Sequence, residues 1–267
     1  MIRERTRRRA PQLAAAIVLI AASASSAVLF PQPMHIVRAV EDPIAQTKTT
    51  IEEYCSGDRI VSVRGENKVT IADFSAGTLT EIDRTAGTWS ETAFDDLAKV
   101  APASASRKAL PTALRATGTR ASASGRMLEV FEISGQAGAA ARRIEVAVDR
   151  QLSLSRAALE ALIGAAYPGV HSEVHDVVLA AASDPRLSTA AATAQAQPLF
   201  NLPAEVVITF TVDGETLVAR NVVVRVDDAK IRPEALFIPV GGTRVESRLV
   251  RLAKEAETLD HPQGVRH

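Results

Sequence analysis

DFSAGTLTEIDRTAGTWS, Asp73–Ser90, writes one eight-residue phrase twice at a spacing of ten. The shared frame is Asp-x-x-Ala-Gly-Thr, then an apolar residue, then Thr or Ser. An Asp side chain can accept a hydrogen bond from the backbone just ahead of it, and Gly takes positive φ without steric cost. Thr, Leu, Ile and Trp between the turns suit a pleated, half-buried surface. A period of about ten leaves about six residues of strand and four of turn. The phrase predicts an antiparallel meander with strands near Lys68–Asp73, Thr78–Asp83 and Thr88–Thr92. Its turns are Phe74–Gly77 and Arg84–Gly87, so Asp73, Gly77, Asp83 and Gly87 are structural turn residues rather than a catalytic pair of carboxylates. The phrase does not occur a third time, which excludes a solenoid built from it.

Upstream, Met34–Val40, Thr47–Cys55 and Asp58–Arg64 read as strands, with a turn signal at Ser56–Asp58. Far downstream, AEVVITFTVDGETLVARNVVVRV (Ala204–Val226) is the cleanest period-two pattern in the chain. Val206, Ile208, Phe210 and Val212 alternate onto one face, and Asp213-Gly214 is a strong two-residue hairpin turn. Val218, Val222, Val224 and Val226 continue on the return strand. Leu128–Ser134 and Arg142–Asp149 are two further strands. EALFIPVGG, Glu234–Gly242, reads as a last strand or extended segment.

Helical periodicity is local. Glu91–Ala101 predicts a short helix capped by Thr92, with Asp95 and Asp96 at its positive N-terminal end. Ser155–Ala166 places Leu159, Leu162, Ile163 and Ala166 on one face, and Pro168-Gly169 stops it. Ser172–Ala182 predicts a second helix with Val174, Val177, Val178 and Ala181 inward, ended by Ser183-Asp184-Pro185. Val245–Leu259 predicts a C-terminal helix. Pro102–Gly125 has no clear period and reads as a mobile connection, and 187–197 is ambiguous. The class is α+β: a curved, mostly antiparallel sheet with a helical insert.

The N-terminus speaks of location. Arg3, Arg5, Arg7, Arg8 and Arg9 precede an uncharged run, Leu13–Phe30, with small residues at Ala22–Ala24 and Ser25–Ala27. This is the layout of a secretory signal, cleaved near Ala24 or Ala27, or of an uncleaved anchor. The expected organisation is a signal or anchor over 1–30, one β domain over 31–245 with its helical insert about 154–183, and a C-terminal helix and tail over 246–267. The expected location is the periplasm or cell envelope, with membrane contact only through the N-terminal segment. Removing residues 1–27 takes five Arg and one Glu from 31 basic and 31 acidic residues, leaving a net charge of −4. Such a balance argues against nucleic acid as a partner. The lone Cys55 cannot form an internal disulfide, so the core must stabilise the exported chain.

Signatures of common catalysis, among them G-x-S-x-G, S-x-x-K, the P-loop, G-x-G-x-x-G and H-E-x-x-H, do not occur in the sequence. Cys55 has no local base to activate it. His171 and His175 sit one helical turn apart beside Asp176, without an evident third ligand, so neither a metal nor another cofactor is expected. Glu52-Glu53 and Asp227-Asp228 are neighbours that point to opposite faces of a strand, which suits no acid/base couple. The expected site is an apolar pocket lined by Val206, Ile208, Phe210 and Val212 below and by Leu159, Leu162 and Ile163 above, with Asp213 and Gly214 as the structural turn at its edge.

The order of phrases resembles exported bacterial proteins of uncharacterised function whose fold resembles the LolA/LolB lipoprotein-carrier half-barrel. The likeness is carried by Ile71-Ala72-Asp73, Ile82-Asp83, Trp89, the helix start Phe94–Leu97 (FDDL), the strand entry NLPAEVVITF from Asn201, and Phe237, Pro239 and Gly241 of the closing phrase. It spans about 34–100 and 198–245. It implies a curved antiparallel sheet wrapped around a helical lid, binding an apolar molecule or lipid rather than catalysing a reaction. The alternative is an envelope protein-interaction or regulatory sensor module anchored through an uncleaved Leu13–Phe30. An enzyme is the third and weakest reading.

Overall fold

The computed structural model describes residues 28–100, 114–122, 124–137, 140–166, 168, 172–183 and 199–260. Within them the chain lays down β1 (Phe30–Asp42), β2 (Thr47–Gly57), β3 (Arg59–Arg64), β4 (Lys68–Asp73), β5 (Thr78–Asp83), β6 (Thr88–Ala93) and α1 (Phe94–Val100). Then follow β7 (Arg115–Ala121), β8 (Met127–Ala137), β9 (Ala140–Ser155), α2 (Arg156–Ile163), α3 (Glu173–Ala182), β10 (Leu199–Val212) and β11 (Glu215–Asp227). A 3-10 turn (Pro233–Leu236), the two-residue β12 (Thr243–Arg244) and α4 (Arg248–Asp260) close it. The strands form one open, curved sheet in the order β12-β6-β5-β4-β3-β2-β1-β11-β10-β9-β8-β7. It is antiparallel throughout except where β12 runs parallel to β6.

The meander follows from turn chemistry. Asp73 Oδ1 accepts from the Ala76 backbone N–H at 2.9 Å and from Ser75 Oγ at 2.7 Å. Asp83 Oδ1 accepts from the Ala86 N–H at 3.0 Å. Gly77 and Gly87 follow with φ of 65° and 62°, the left-handed conformation that costs a side-chain-bearing residue energy. The β10–β11 hairpin turns on Asp213 (φ 52°) and Gly214 (φ 84°), two consecutive positive φ values of the kind that match strand twist.

Pairing along the sheet has two characters. The β2–β3, β3–β4, β4–β5 and β5–β6 ladders run without a register shift. The β1–β11 ladder shifts at Val37/Arg38, and β9–β10 shifts at Asn201/Leu202 and Pro203/Glu205. Pro203 cannot donate to a ladder and so belongs at such an irregularity. Bulges bend a strand and increase its twist, which curves this half of the sheet.

Helices cover one face. Ser155 caps α2 by accepting from the Ala158 N–H at 3.1 Å, and Ser172 caps α3 by accepting from the His175 N–H at 3.3 Å. α2 buries Ala158, Ala161 and Leu162 against Ile36, Cys55, Ile60 and Leu202. α3 buries Val177, Val178 and Ala181 against Phe131, Ile133, Ile144 and Val146. Along the meander, Leu97 of α1 and Leu249 and Val250 of α4 pack on Ala72 and Leu79. The opposite face of the meander carries Val61, Val69, Ile82 and Trp89 under Ile231.

Several expectations are corrected. The helix after the meander begins at Phe94, because Thr92 stays in β6 as the partner of Leu79 and does not cap it. Arg115–Ala121, within the stretch read as a connection, is an edge strand on β8. Phe30, counted with the apolar leader, is buried at the start of β1. The C-terminal helix runs over Arg248–Asp260, and its Leu249 and Val250 join the core. EALFIPVGG forms a 3-10 turn and an extended segment, with only Thr243–Arg244 beyond it pairing to β6. Gly169, His171 and Pro185 lie outside the described residues.

Candidate binding cavity

Between the helix-covered face and the α2–α3 junction lies a cavity of about 660 Å³. Its floor comes from five adjacent strands, β3, β2, β1, β11 and β10, and its roof from Leu162–Ala166 and Ser172–Val178. The register explains the floor. Val206 lies opposite Asn221, Ile208 opposite Ala219 and Phe210 opposite Leu217, and all six line the cavity. Next to them Val40 pairs with Asn221, and Arg38 pairs with Ile51 on β2. Ile44, Phe210 and Leu217 are exposed and mark the mouth, at the β1–β2 and β10–β11 hairpin ends.

Of the residues expected to line a pocket, Val206, Ile208, Phe210, Leu162 and Ile163 do so. Leu159 and Val212 do not line this cavity. Leu159 is fully buried, packed with Ala182, Phe200 and Ile163 in the core beneath the helices. Val212 sits at the hairpin tip, half-exposed, past the last covered residue. The return strand contributes Leu217, Ala219 and Asn221 rather than its valines, because strand alternation sends Val218 and Val222 to the other face.

The sequence reading missed the charges. Arg38 Nε donates to Glu53 Oε2 at 2.6 Å, and both side chains are 11% exposed at the cavity wall. Arg64, on β3, also lines the cavity. The signal was present: Arg38, Glu53 and Arg64 each stand at an inward position of a strand whose apolar neighbours fix the phase. Asn221 lines the cavity as well, and its buried Oδ1 has no hydrogen-bond partner among the described residues. Such an atom is costly to leave unmatched.

A second polar cluster lies on the opposite face. His35 is buried and stacks on Tyr54 with ring centroids 4.3 Å apart. Its Nδ1 lies 2.7 Å from Asp227 Oδ1, and its Nε2 lies 3.1 Å from Glu52 Oε2. Tyr54 donates to Glu52 at 2.7 Å, which together with the His35 contact holds the Glu52 carboxyl below its ordinary range. Burial and that same carboxylate push the Tyr54 hydroxyl up to about 12. The Ala229 N–H and His35 hold the Asp227 carboxyl down. Glu52 and Glu53 thus face opposite sides of the sheet with separate partners. The cluster ties β2, β1 and β11 together from behind the cavity. Cys55 is buried against α2, and burial pushes its thiol up, away from the reactive thiolate. His175 is buried at the roof. The described residues hold no group of three or more His, Cys, Asp or Glu placed to share a metal.

No family model and no curated protein matches this chain. Among solved structures, one of PNGF-II aligns over 83% of this chain and 32% of its own, at 9% identity and a TM-score of 0.34. This chain therefore spans about a third of that protein's length, and a likeness of that size carries no statement about fold or activity.

Proposed function

We propose that this chain is a binding or carrier protein for an apolar small molecule or lipid chain, exported to the cell envelope, and that its sheet and helices form a half-barrel and lid of the LolA/LolB kind. The observation that carries this reading is the cavity of about 660 Å³ between the curved sheet and the α2–α3 junction, with Ile163, Val174, Val178, Val206, Ile208 and Phe210 in its wall. Ligand sites are apolar concavities of about 300–1,000 Å³ with a few placed polar groups. An alkyl chain entering here gains about 25 cal/mol per Å² of apolar surface buried. Native mass spectrometry of the protein purified from the envelope tests it. An apolar molecule should co-purify at one per chain, or the emptied protein should bind the neutral dye Nile red at one site. A protein that carries nothing and binds no dye would end this reading. N-terminal sequencing of the same material tests export. A mature end near Ala24 or Ala27 is expected, and an intact Met1 would replace cleavage by anchoring.

One observation favours the alternative, a protein-interaction module. Phe237 is 65% exposed and Val240 fully exposed, beside half-exposed Leu236 and Ile238, far along the sheet from the cavity. Such a strip suits a protein partner.

A further inference from the structure

Resting on the cavity reading above, we infer the chemical class of its ligand: a single alkyl chain ending in one carboxylate, held by Arg38 and Arg64. The placement follows from register. Arg38 pairs with Ile51, and Ile51 pairs with Arg64, so the three residues form one row across β1, β2 and β3. All three line the cavity. Adjacent strands lie about 4.8 Å apart, which sets the two arginine backbones about 10 Å apart on one face. Long guanidinium side chains bridge that span around a single carboxylate.

The hydrogen-bond inventory leaves these donors free. Arg38 spends its Nε on Glu53, and neither terminal nitrogen has a partner among the described residues. The Arg64 side chain has neither a hydrogen bond nor an ion pair among the described residues, and the next residue in its row is Lys68, which pairs with Asp83. The nearly buried Arg38 guanidinium is costly at an apolar wall until its N–H groups meet acceptors, Arg64 brings a second, exposed guanidinium beside it, and carboxylates fit such groups in a fork of two bonds. Charge balance selects a monoanion. Arg38, Arg64 and Glu53 sum to +1 at this wall, and the other charged residues of the lining, Glu41, Asp42 and Arg220, balance with Lys48, which Glu41 binds towards the end of β1, so one carboxylate brings the wall to zero. A neutral head leaves Arg64 unmatched, and a dianion overshoots. From this row the chain would run along Ile163, Val178, Val206 and Ile208 towards the mouth at Phe210.

Competition against bound Nile red tests the assignment, using laurate, methyl laurate and dodecyl phosphate below their aggregation limits at pH 7.5. Laurate should displace the dye at least tenfold more effectively than its methyl ester, and more effectively than dodecyl phosphate. The preference for acid over ester should fall towards unity in Arg64→Gln. That side chain is exposed, so the fold should hold, and circular dichroism checks it. The double variant Arg38→Gln/Glu53→Gln removes both buried charges together and should also lose the preference while keeping ester binding. Equal displacement by laurate and its ester in the wild type would overturn the carboxylate assignment and leave the cavity reading intact. So would a preference that survives in both variants. Stronger displacement by dodecyl phosphate would reassign the head as a phosphate. Absence of dye binding in the wild type would overturn the cavity reading itself, and this inference with it.

Discussion

The two halves of the sheet handle their length differently. The meander uses six-residue strands from β3 to β6 and pairs them without a slip. Both of its faces are filled, by Leu97, Leu249 and Val250 on one side and by Ile231 on the other. The other half uses strands of 11 to 16 residues in β1, β2 and β8–β11, with register shifts where β10 meets β9 and where β11 meets β1. Its helices cover only part of the curved face, and the cavity lies in what they leave. Short uniform strands joined by tight turns give a unit that packs solid on both faces. Long bulged strands give curvature, and a curved face is harder to fill with two short helices.

The sharpest way to break this comparison is one large-to-small change in each half. Leu79→Ala in the filled meander should cost about 3–4 kcal/mol, because Leu79 is fully buried and a new void would open. Ile208→Ala at the cavity floor should cost only about 1 kcal/mol, since Ile208 already borders open space and its loss creates no fresh void. Urea titrations of both variants measure this. Equal costs would mean that the cavity half is packed as tightly as the meander.

Arg38→Ala should rank next, at about 3 kcal/mol, because it strands the Glu53 carboxylate in a nearly buried site. Adding Glu53→Gln should restore most of that loss. Without such rescue in thermal melts, the pair would be irrelevant to stability.

Asp73 sharpens the meander side through pH. Burial raises its carboxyl, but hydrogen bonds from Ser75, the Ala76 N–H and Arg59 prevail and hold it at about 2, below the usual 3.8. A carboxyl lowered on folding stabilises above its unfolded pKa, and that stability is lost as pH falls towards the folded value. Asp73→Asn should therefore cost about 2 kcal/mol above about pH 5, and the gap to wild type should close between about pH 5 and pH 2. A gap that stays constant with pH would contradict the account of the turn.

The smallest effects belong to the turn glycines. Gly77→Ala and Gly87→Ala should each cost about 1 kcal/mol from positive φ alone, since a Cβ at either would meet nothing within 4 Å. Unequal costs would show that the two turns are not equivalent.

The same contrast explains what the sequence could tell. The meander and the β10–β11 hairpin were legible because Asp73, Asp83 and Asp213-Gly214 act on residues two to four positions away. The edge strand β7 was not, because Arg115–Ala121 is polar, contains Gly118, and owes its conformation to β8. Placing β1 beside β11 depends on pairing His35 with Asp227, 192 residues apart, for which no local pattern exists. Leu159 was read with Leu162 as one apolar stripe, yet the stripe is wide enough to serve both core and cavity, and only packing decides which residue does which. Arg38 and Arg64 were visible as inward charges, but their shared row appears only once the register is known.

Nile red binding by Ile208→Trp, beside wild type, tests the central claim most directly. An indole at position 208 should fill the floor between Val206 and Phe210, growing into the open space rather than into the core it borders. The account predicts that wild type binds one dye per chain and that Ile208→Trp loses at least tenfold in affinity with no fall in melting temperature. Dye binding unchanged by the filled floor, or absent from the wild type, would contradict it.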